Sequence, residues 1–220
     1  MLKRLFDLAV ALPAAAAAAP VVAALAVAVK LDSKGPAFFV QTRVGKNRKP
    51  LRLLKLRSMV TDASGPAVTA KNDARITRVG RFLRATKLDE LPQLLNVITG
   101  DMSLVGPRPE APRYVEQYRP EWLPLLDVRP GITDLASIAF RHEEALLGKA
   151  HDQERAYVEA VLPAKLPVAL EGMNRSGLLF DALVIAKTLK EVVRPGTRHP
   201  AVTRASEAID RLNGGHGSGH

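Results

Sequence analysis

From Leu8 to Val29 the chain carries no charged residue, and Ala, Val and Leu dominate the run. No other feature constrains the fold as strongly. These 22 residues would make about 33 Å of straight helix, against a bilayer core of about 30 Å. Three readings compete. Lys3 and Arg4 could open a cleaved signal peptide with small-residue cleavage sites, but the run is longer than a usual signal core and continues past any cleavage point near Ala19. A simple transmembrane anchor meets a charge conflict. Lys3 and Arg4 lie on one side, and nine Lys/Arg against the single acid Asp32 fill residues 30–57 on the other. The positive-inside rule puts both flanks in the cytoplasm. A re-entrant hairpin removes the conflict: Pro13 and Pro20 lie inside the run, and proline kinks or breaks a helix. Prolines also occur in ordinary spanning helices, so the residues alone leave anchor and hairpin both open.

Composition narrows the remainder. A chain of 220 residues allows one domain, or one with an appendage. With 47% hydrophobic and 25% charged residues it is neither globally disordered nor, at a mean hydropathy of +0.00, a polytopic membrane protein. Zero cysteines exclude disulfides, thiolate metal sites and a Cys nucleophile, and fit a reducing compartment. The net charge of +10 predicts an anionic partner: nucleic acid, acidic lipid or a phosphorylated substrate. No zinc-finger or RNP pattern is present, and few aromatics interleave with the basic run, so nucleic acid is not expected.

The rest of the chain reads as mostly α with minor β. Ala37–Val40 suggests an extended segment, and Leu51, Leu53, Leu54 and Leu56 a short strand or interfacial element. Residues 61–75 read as a loop. Arg75, Arg78, Arg81 and Arg84 recur every three residues, giving a helix with one basic face; residues 74–88 hold no acid to neutralise it. Leu91, Leu94, Leu95 and Ile98 predict a second helix that starts near Asp89 and stops at Gly100. Tyr114, Tyr118 and Trp122 make a stripe over 112–126 that is either core packing or an interfacial band. Residues 152–170 read as helix interrupted at Pro163 and Pro167, and 178–193 as an amphipathic helix. The polar stretch from Gly196 reads as a flexible tail or an appended remnant. The expected organisation is a membrane helix with flanks (1–34), a cytoplasmic domain at the membrane surface (35–195) and a tail (196–220). The domain would be small, interfacial and α/β, with amphipathic surface helices.

Asp89-Glu90 is the leading catalytic candidate. Adjacent carboxylates at a helix start point in different directions and can take different roles. The plainer explanation is that acids suit helix N-termini. The arginine-rich segment before the pair, with Arg108 and Arg129 in Pro/Gly turns after it, points instead to diphosphate chemistry with Mg²⁺. An aspartate at an ordinary pKa of ~3.9 is ionised at pH 7 and can attack phosphorus. Competing motifs are missing: no P-loop or dinucleotide fingerprint, no metal spacing among His142, His151 and His199, and no evident His partner for Ser103 or Ser137.

The string Leu88-Asp-Glu-Leu-Pro-Gln-Leu-Leu-Asn-Val97, followed by Gly100-Asp-Met-Ser-Leu-Val-Gly-Pro-Arg-Pro109, closely resembles the signature of the bacterial sugar transferases. These are small monotopic phosphoglycosyl transferases that begin lipid-linked glycan assembly. Lys3-Arg4-x-Phe6-Asp7, Gln41-x-Arg43-x-Gly45, Lys55-Leu-Arg-Ser-Met59 and Arg129-Pro-Gly-Ile-Thr133 extend the match from about residue 3 to 194. The resemblance implies a re-entrant helix bent at Pro20, a monotopic seat on the cytoplasmic face of the bacterial inner membrane, and a requirement for Mg²⁺. It implies transfer of a sugar-1-phosphate from a UDP-sugar to polyprenyl (undecaprenyl) phosphate, releasing UMP. By motif, Asp89 would be the nucleophile and Glu90 would handle metal or protons, the two together holding the ion. Lys55, Arg57, Arg108 and Arg129 would stand near the phosphates, with Arg78 and Arg84 of the basic segment completing the substrate-binding set.

The chain departs from the family in two places. Ala19 precedes the bend proline where many members have a small polar residue. Asp134-Leu-Ala-Ser137, then Phe140-Arg-His-Glu-Glu144, replaces the Gly-Trp-Ala-Gln that many members carry, which leaves the sugar open. The expected mechanism is ping-pong, with a covalent phosphosugar on Asp89 and the basic face serving both anionic membrane lipid and substrate. The rivals are a non-catalytic membrane scaffold that binds lipid or nucleotide sugar through the same arginines, and a secreted basic binding protein. Glycan pathway and pairing as a homodimer stay open.

Overall fold

In a computed structural model, which describes residues 1–61, 69, 73–175, 177–193, 196 and 199–214, the apolar run forms helix α1, Leu2–Asp32, with Pro13 and Pro20 inside it. Its middle leaves Leu12 and Val21 exposed, while Asp7, Ala11 and Val29 near its two ends are buried. Charge explains the first attachment. Lys3 pairs with Asp181, and Arg4 donates to the carbonyls of Val97 at 2.5 Å and Ile98 at 2.8 Å. The Asp7 carboxylate accepts from the Ser103 hydroxyl at 2.9 Å and the Leu104 N–H at 3.1 Å. At the other end the Arg57 guanidinium donates to carbonyls of Val29, Ser33, Lys34 and Pro36 and to the Ser33 hydroxyl. Both ends of α1 therefore dock on the same body.

Strands β1 (Phe38–Val44) and β2 (Pro50–Leu56) form an antiparallel hairpin, where an extended segment and a short strand are expected. Helix α2 is Arg78–Thr86, capped by the Thr77 hydroxyl on the Gly80 N–H. Gly80 admits no side chain: a Cβ there would stand 2.0 Å from the Ser58 carbonyl oxygen. Lys87 follows in the left-handed region at φ 60° and turns the chain into a 3₁₀ turn, Leu88–Glu90, before α3, Gln93–Thr99. The acidic pair thus lies in the turn ahead of the helix, since Pro92 lacks the N–H for a longer one.

β3 (Ser103–Val105) pairs in parallel with β4 (Gly131–Thr133). Gly106 and Gly131 cross so closely that a Cβ on Gly131 would meet the Gly106 nitrogen at 2.1 Å, which only glycine permits. The remaining elements are α4 (Pro112–Val115), a 3₁₀ turn at Pro120–Leu126, α5 (Leu135–Ala139), α6 (Glu143–Leu147), α7 (Gln153–Ala156), a π turn at Tyr157–Val161, α8 (Leu162–Asn174), α9 (Leu178–Val193) and α10 (Pro200–Gly214). The described chain is mostly helical with two small sheets.

Three expectations change here. Tyr114 and Trp122 are buried with Tyr157, Leu162 and Leu166 in the largest apolar cluster, and Tyr118 packs against it, so that stripe is core. Neither proline interrupts the helix over 152–170: the π turn shifts register ahead of Pro163, which sits in the first turn of α8, and α8 runs on through Pro167. The stretch expected as a flexible tail from residue 196 instead forms α10, whose Ala201, Ala205 and Ile209 are fully buried. Residues 215–220, and most of the loop expected at 61–75, lie outside the described residues.

Candidate functional site

The turn that carries Asp89 and Glu90 is held from both sides. Behind it, Asn96 of α3 donates to the Arg52 carbonyl at 2.9 Å and accepts from the Leu54 N–H at 3.1 Å, tying α3 to β2 and so to Lys55. At the far end of α3, Gly100 closes the helix at φ 93°, and the Arg129 Nε donates to its carbonyl at 2.8 Å. Arg108 enters from the Gly106-Pro107 turn beside the crossed glycines.

These elements surround a cavity of about 520 Å³ lined by Asp89, Glu90, Lys55, Arg84, Lys87, Arg108 and Arg43, and also by Glu110, Glu143, Glu144, Arg141, Lys165 and Ser137. The two adjacent carboxylates occupy opposite electrostatic environments. Glu90 accepts a two-pronged ion pair from Arg108, one arm at 2.9 Å, with the Lys55 ammonium at 3.8 Å. Burial alone would raise the Glu90 pKa, but the Arg108 and Lys55 charges outweigh it and hold the carboxyl well below the usual range. Arg108 responds in kind: burial works against its charge, and Glu90 raises its pKa regardless. Asp89 is buried with no hydrogen-bond partner on Oδ1. Burial, then the negative charge of Glu90, push its pKa above the ordinary value, so the ordinary carboxylate expected there is not what the fold provides. Burial lowers Lys55 to about 8, against the pull of Glu90.

A second charged group backs the first. Glu110 accepts from the Tyr157 hydroxyl at 2.8 Å and pairs with Lys165 at 3.4 Å and Arg43 at 3.7 Å. Lys165 also reaches Glu143 at 2.8 Å, and Arg84 pairs with Glu144 at 2.5 Å. Burial opposes the ionised form of Glu110, yet the Lys165 and Arg43 charges hold its pKa below the usual value.

The structure brings Lys55, Arg84 and Arg108 to the dyad, as the sequence suggests. It does not bring the other three. Arg57 is buried away from the cavity lining, its donors spent on the end of α1 and the following turn. Arg78 is exposed on α2, and Arg129 is exposed while bracing Gly100. Pro20 lies inside α1 and does not line the cavity. Sequence reasoning missed Arg43, Lys87, Glu110, Arg141 and Lys165. Arg43 stood inside a motif already noticed, and Glu110 two residues after Arg108, but nothing in spacing announced their convergence.

Among the described residues no group of three or more His, Asp or Glu is gathered that could hold a metal ion unaided. The dyad nevertheless fits one kind of ion. Mg²⁺ is usually bound by one or two carboxylates plus substrate phosphates, and the unpartnered buried Oδ1 of Asp89 is a donor of that kind.

A family model described as bacterial sugar transferase matches residues 1–195. Over 122 residues the chain is 48% identical to a protein of Bacillus subtilis named as a putative undecaprenyl-phosphate N-acetylgalactosaminyl 1-phosphate transferase, covering 54% of the chain and 68% of that protein. It is 48% identical over 141 residues to a UDP-glucose:undecaprenyl-phosphate glucose-1-phosphate transferase of Caulobacter vibrioides, covering 62% of the chain but only 53% of that relative. The exopolysaccharide production protein PSS of Rhizobium leguminosarum is 48% identical over 147 residues, with 63% of the chain and 74% of that protein covered. The chain thus spans about half to three quarters of the length of these relatives.

Proposed function

The chain belongs to the bacterial sugar transferase family, and from that membership we propose that it transfers a sugar-1-phosphate from a UDP-sugar to undecaprenyl phosphate, releasing UMP. The observation that carries the reading is the division of labour within the dyad: Glu90 is locked by Arg108 and Lys55, while Asp89 keeps a bare, buried oxygen on a cation-lined cavity. That oxygen attacks the phosphorus bonded to the sugar. The bond from this phosphorus to the bridging oxygen breaks, and UMP leaves with the electron pair. The phosphosugar remains on Asp89 as an acyl phosphate. An oxygen of the polyprenyl phosphate then attacks the same phosphorus and frees the carboxylate. One phosphoanhydride replaces another, so no ATP is consumed.

Lys55, Arg84 and Arg108 would hold the diphosphate oxygens, where charge-assisted donors bind most strongly. Glu90 keeps Arg108 oriented rather than reacting. Asp89, together with the donor's phosphates, would hold Mg²⁺, which would neutralise charge on the diphosphate; both oxygens of Glu90 are already taken by Arg108. Glu110, held by Tyr157, Lys165 and Arg43, fixes those cations behind the site.

The reading of the membrane seat is supported by α1, both of whose ends attach to one body. We read it as re-entrant or interfacial, bent about Pro20, on the cytoplasmic face of the inner membrane, with the basic flanks against anionic lipid.

Incubating the chain with a panel of UDP-sugars and undecaprenyl phosphate tests the proposal. One sugar should support UMP release, and Asp89→Asn should reduce it by at least about 10³-fold, as expected for loss of a nucleophile. Undiminished release by the variant would remove Asp89 from the mechanism. A non-catalytic scaffold predicts no release with any sugar.

A further inference from the structure

The acceptor is an amphiphile, so its phosphate must reach Asp89 while its hydrocarbon stays continuous with the bilayer. Helix α9 is the element that connects these two places. Near its start, Asp181 pairs with Lys3 of α1, and Val184 packs with Ala11 in one apolar cluster. Two turns later, Thr188, Leu189 and Val192 line the cavity that holds Asp89. From Asp181 to Leu189 the helix advances about 12 Å.

Along that stretch two apolar side chains stand open, beside Thr188 and Glu191. Leu189 is 62% exposed and Val192 39%, although both line the cavity. The Thr188 hydroxyl is occupied by the Val184 carbonyl at 2.8 Å and by Thr133 at 2.7 Å. Leu91 and Leu94 line the same cavity, and Leu94 also packs on the cluster that contains Ala11. The cavity that these apolar side chains line also carries Lys55, Arg84 and Arg108. With apolar and cationic walls together, it complements a prenyl chain with a phosphate head.

We propose that the part of the cavity lined by Leu189, Val192, Leu91 and Leu94 seats the first isoprene units of the polyprenyl phosphate. The inference rests on the transferase reading above and adds the acceptor's route to it.

The test uses the full chain in lipid nanodiscs. Leu189→Asp and the uncharged Leu189→Gln are compared with Leu183→Asp, a charge placed on the same helix at a residue that is 54% exposed and does not line the cavity. Leu189 is exposed, so neither change threatens folding. The Leu189 variants should raise KM for undecaprenyl phosphate at least tenfold, while a single round of UMP release with donor alone persists; Leu183→Asp should change acceptor KM less than twofold. Unchanged acceptor KM in both Leu189 variants would overturn the inference. An equal rise in Leu183→Asp would overturn it too, marking α9 as general bilayer contact. If the unsubstituted chain releases no UMP with any donor, the transferase reading fails first and this part of the cavity loses its proposed occupant.

Discussion

Two adjacent carboxylates of similar intrinsic acidity end up with opposite characters because one faces a guanidinium and the other faces a cavity. The motif string made Asp89 and Glu90 legible, since an arginine-rich segment beside them asks for an anion. The split between them was not legible: it depends on Arg108, eighteen residues on, and on Lys55 across the hairpin. The same limit explains Arg57. Arg57 and Arg84 both sit in basic surroundings, and only the folded chain shows that one meets the carbonyls at the end of α1 and the other the cavity. Lys55 yields a prediction at this scale. Burial lowers it to about 8, so its charge is present below pH 8 and lost as pH rises through that value. We expect kcat/KM for the donor, which reports the free enzyme, to fall above pH 8, and Lys55→Arg to abolish that alkaline limb. A limb unmoved by the substitution would assign it to another group. The sign for stability is opposite. The folded chain holds this proton less tightly than the unfolded chain, so Lys55's own contribution to stability improves as pH rises from 8 toward its ordinary value.

Elements with a strong apolar period were readable, although the helix expected from Asp89 begins only at Gln93. Helix α9 coincides with the expected 178–193, and the hairpin grew from the short apolar runs at 37–40 and 51–56. What failed was punctuation. Pro163 looked like a break but falls in a first turn, where its missing N–H is harmless. Helix α10 hid behind a polar composition, although Ala201, Ala205 and Ile209 recur at the i, i+4, i+8 spacing of a buried face. Arg57 belongs to this scale as the brace between α1 and the hairpin. Arg57→Ala leaves the carbonyls of Ser33, Lys34 and Pro36 without their donor, at a cost of about 2–3 kcal/mol. Thermal unfolding in detergent should show that loss, together with faster proteolysis between α1 and β1. A variant as stable as the parent but unable to bind donor would restore Arg57 to the phosphate-binding set.

At the scale of the whole molecule, the account requires a protein that works on the bilayer from one side. The chain has no cysteine, so Leu2→Cys and Lys34→Cys each create a unique label at opposite ends of α1. Both should react with a membrane-impermeant maleimide in inverted vesicles and neither in intact spheroplasts; opposite accessibility of the two sites would make α1 a span. Sidedness matters because in the proposed mechanism the donor, the lipid and the dyad meet in one cation-lined cavity, which both substrates would use in turn. That sequential use implies a covalent state that exists without any acceptor. Intact-protein mass spectrometry of the chain mixed with its UDP-sugar alone tests this most directly. The account predicts a mass increase of one phosphosugar, mapped to Asp89, lost in Asp89→Asn and discharged on adding undecaprenyl phosphate. UMP release that needs the acceptor, with no adduct under any donor condition, would contradict it.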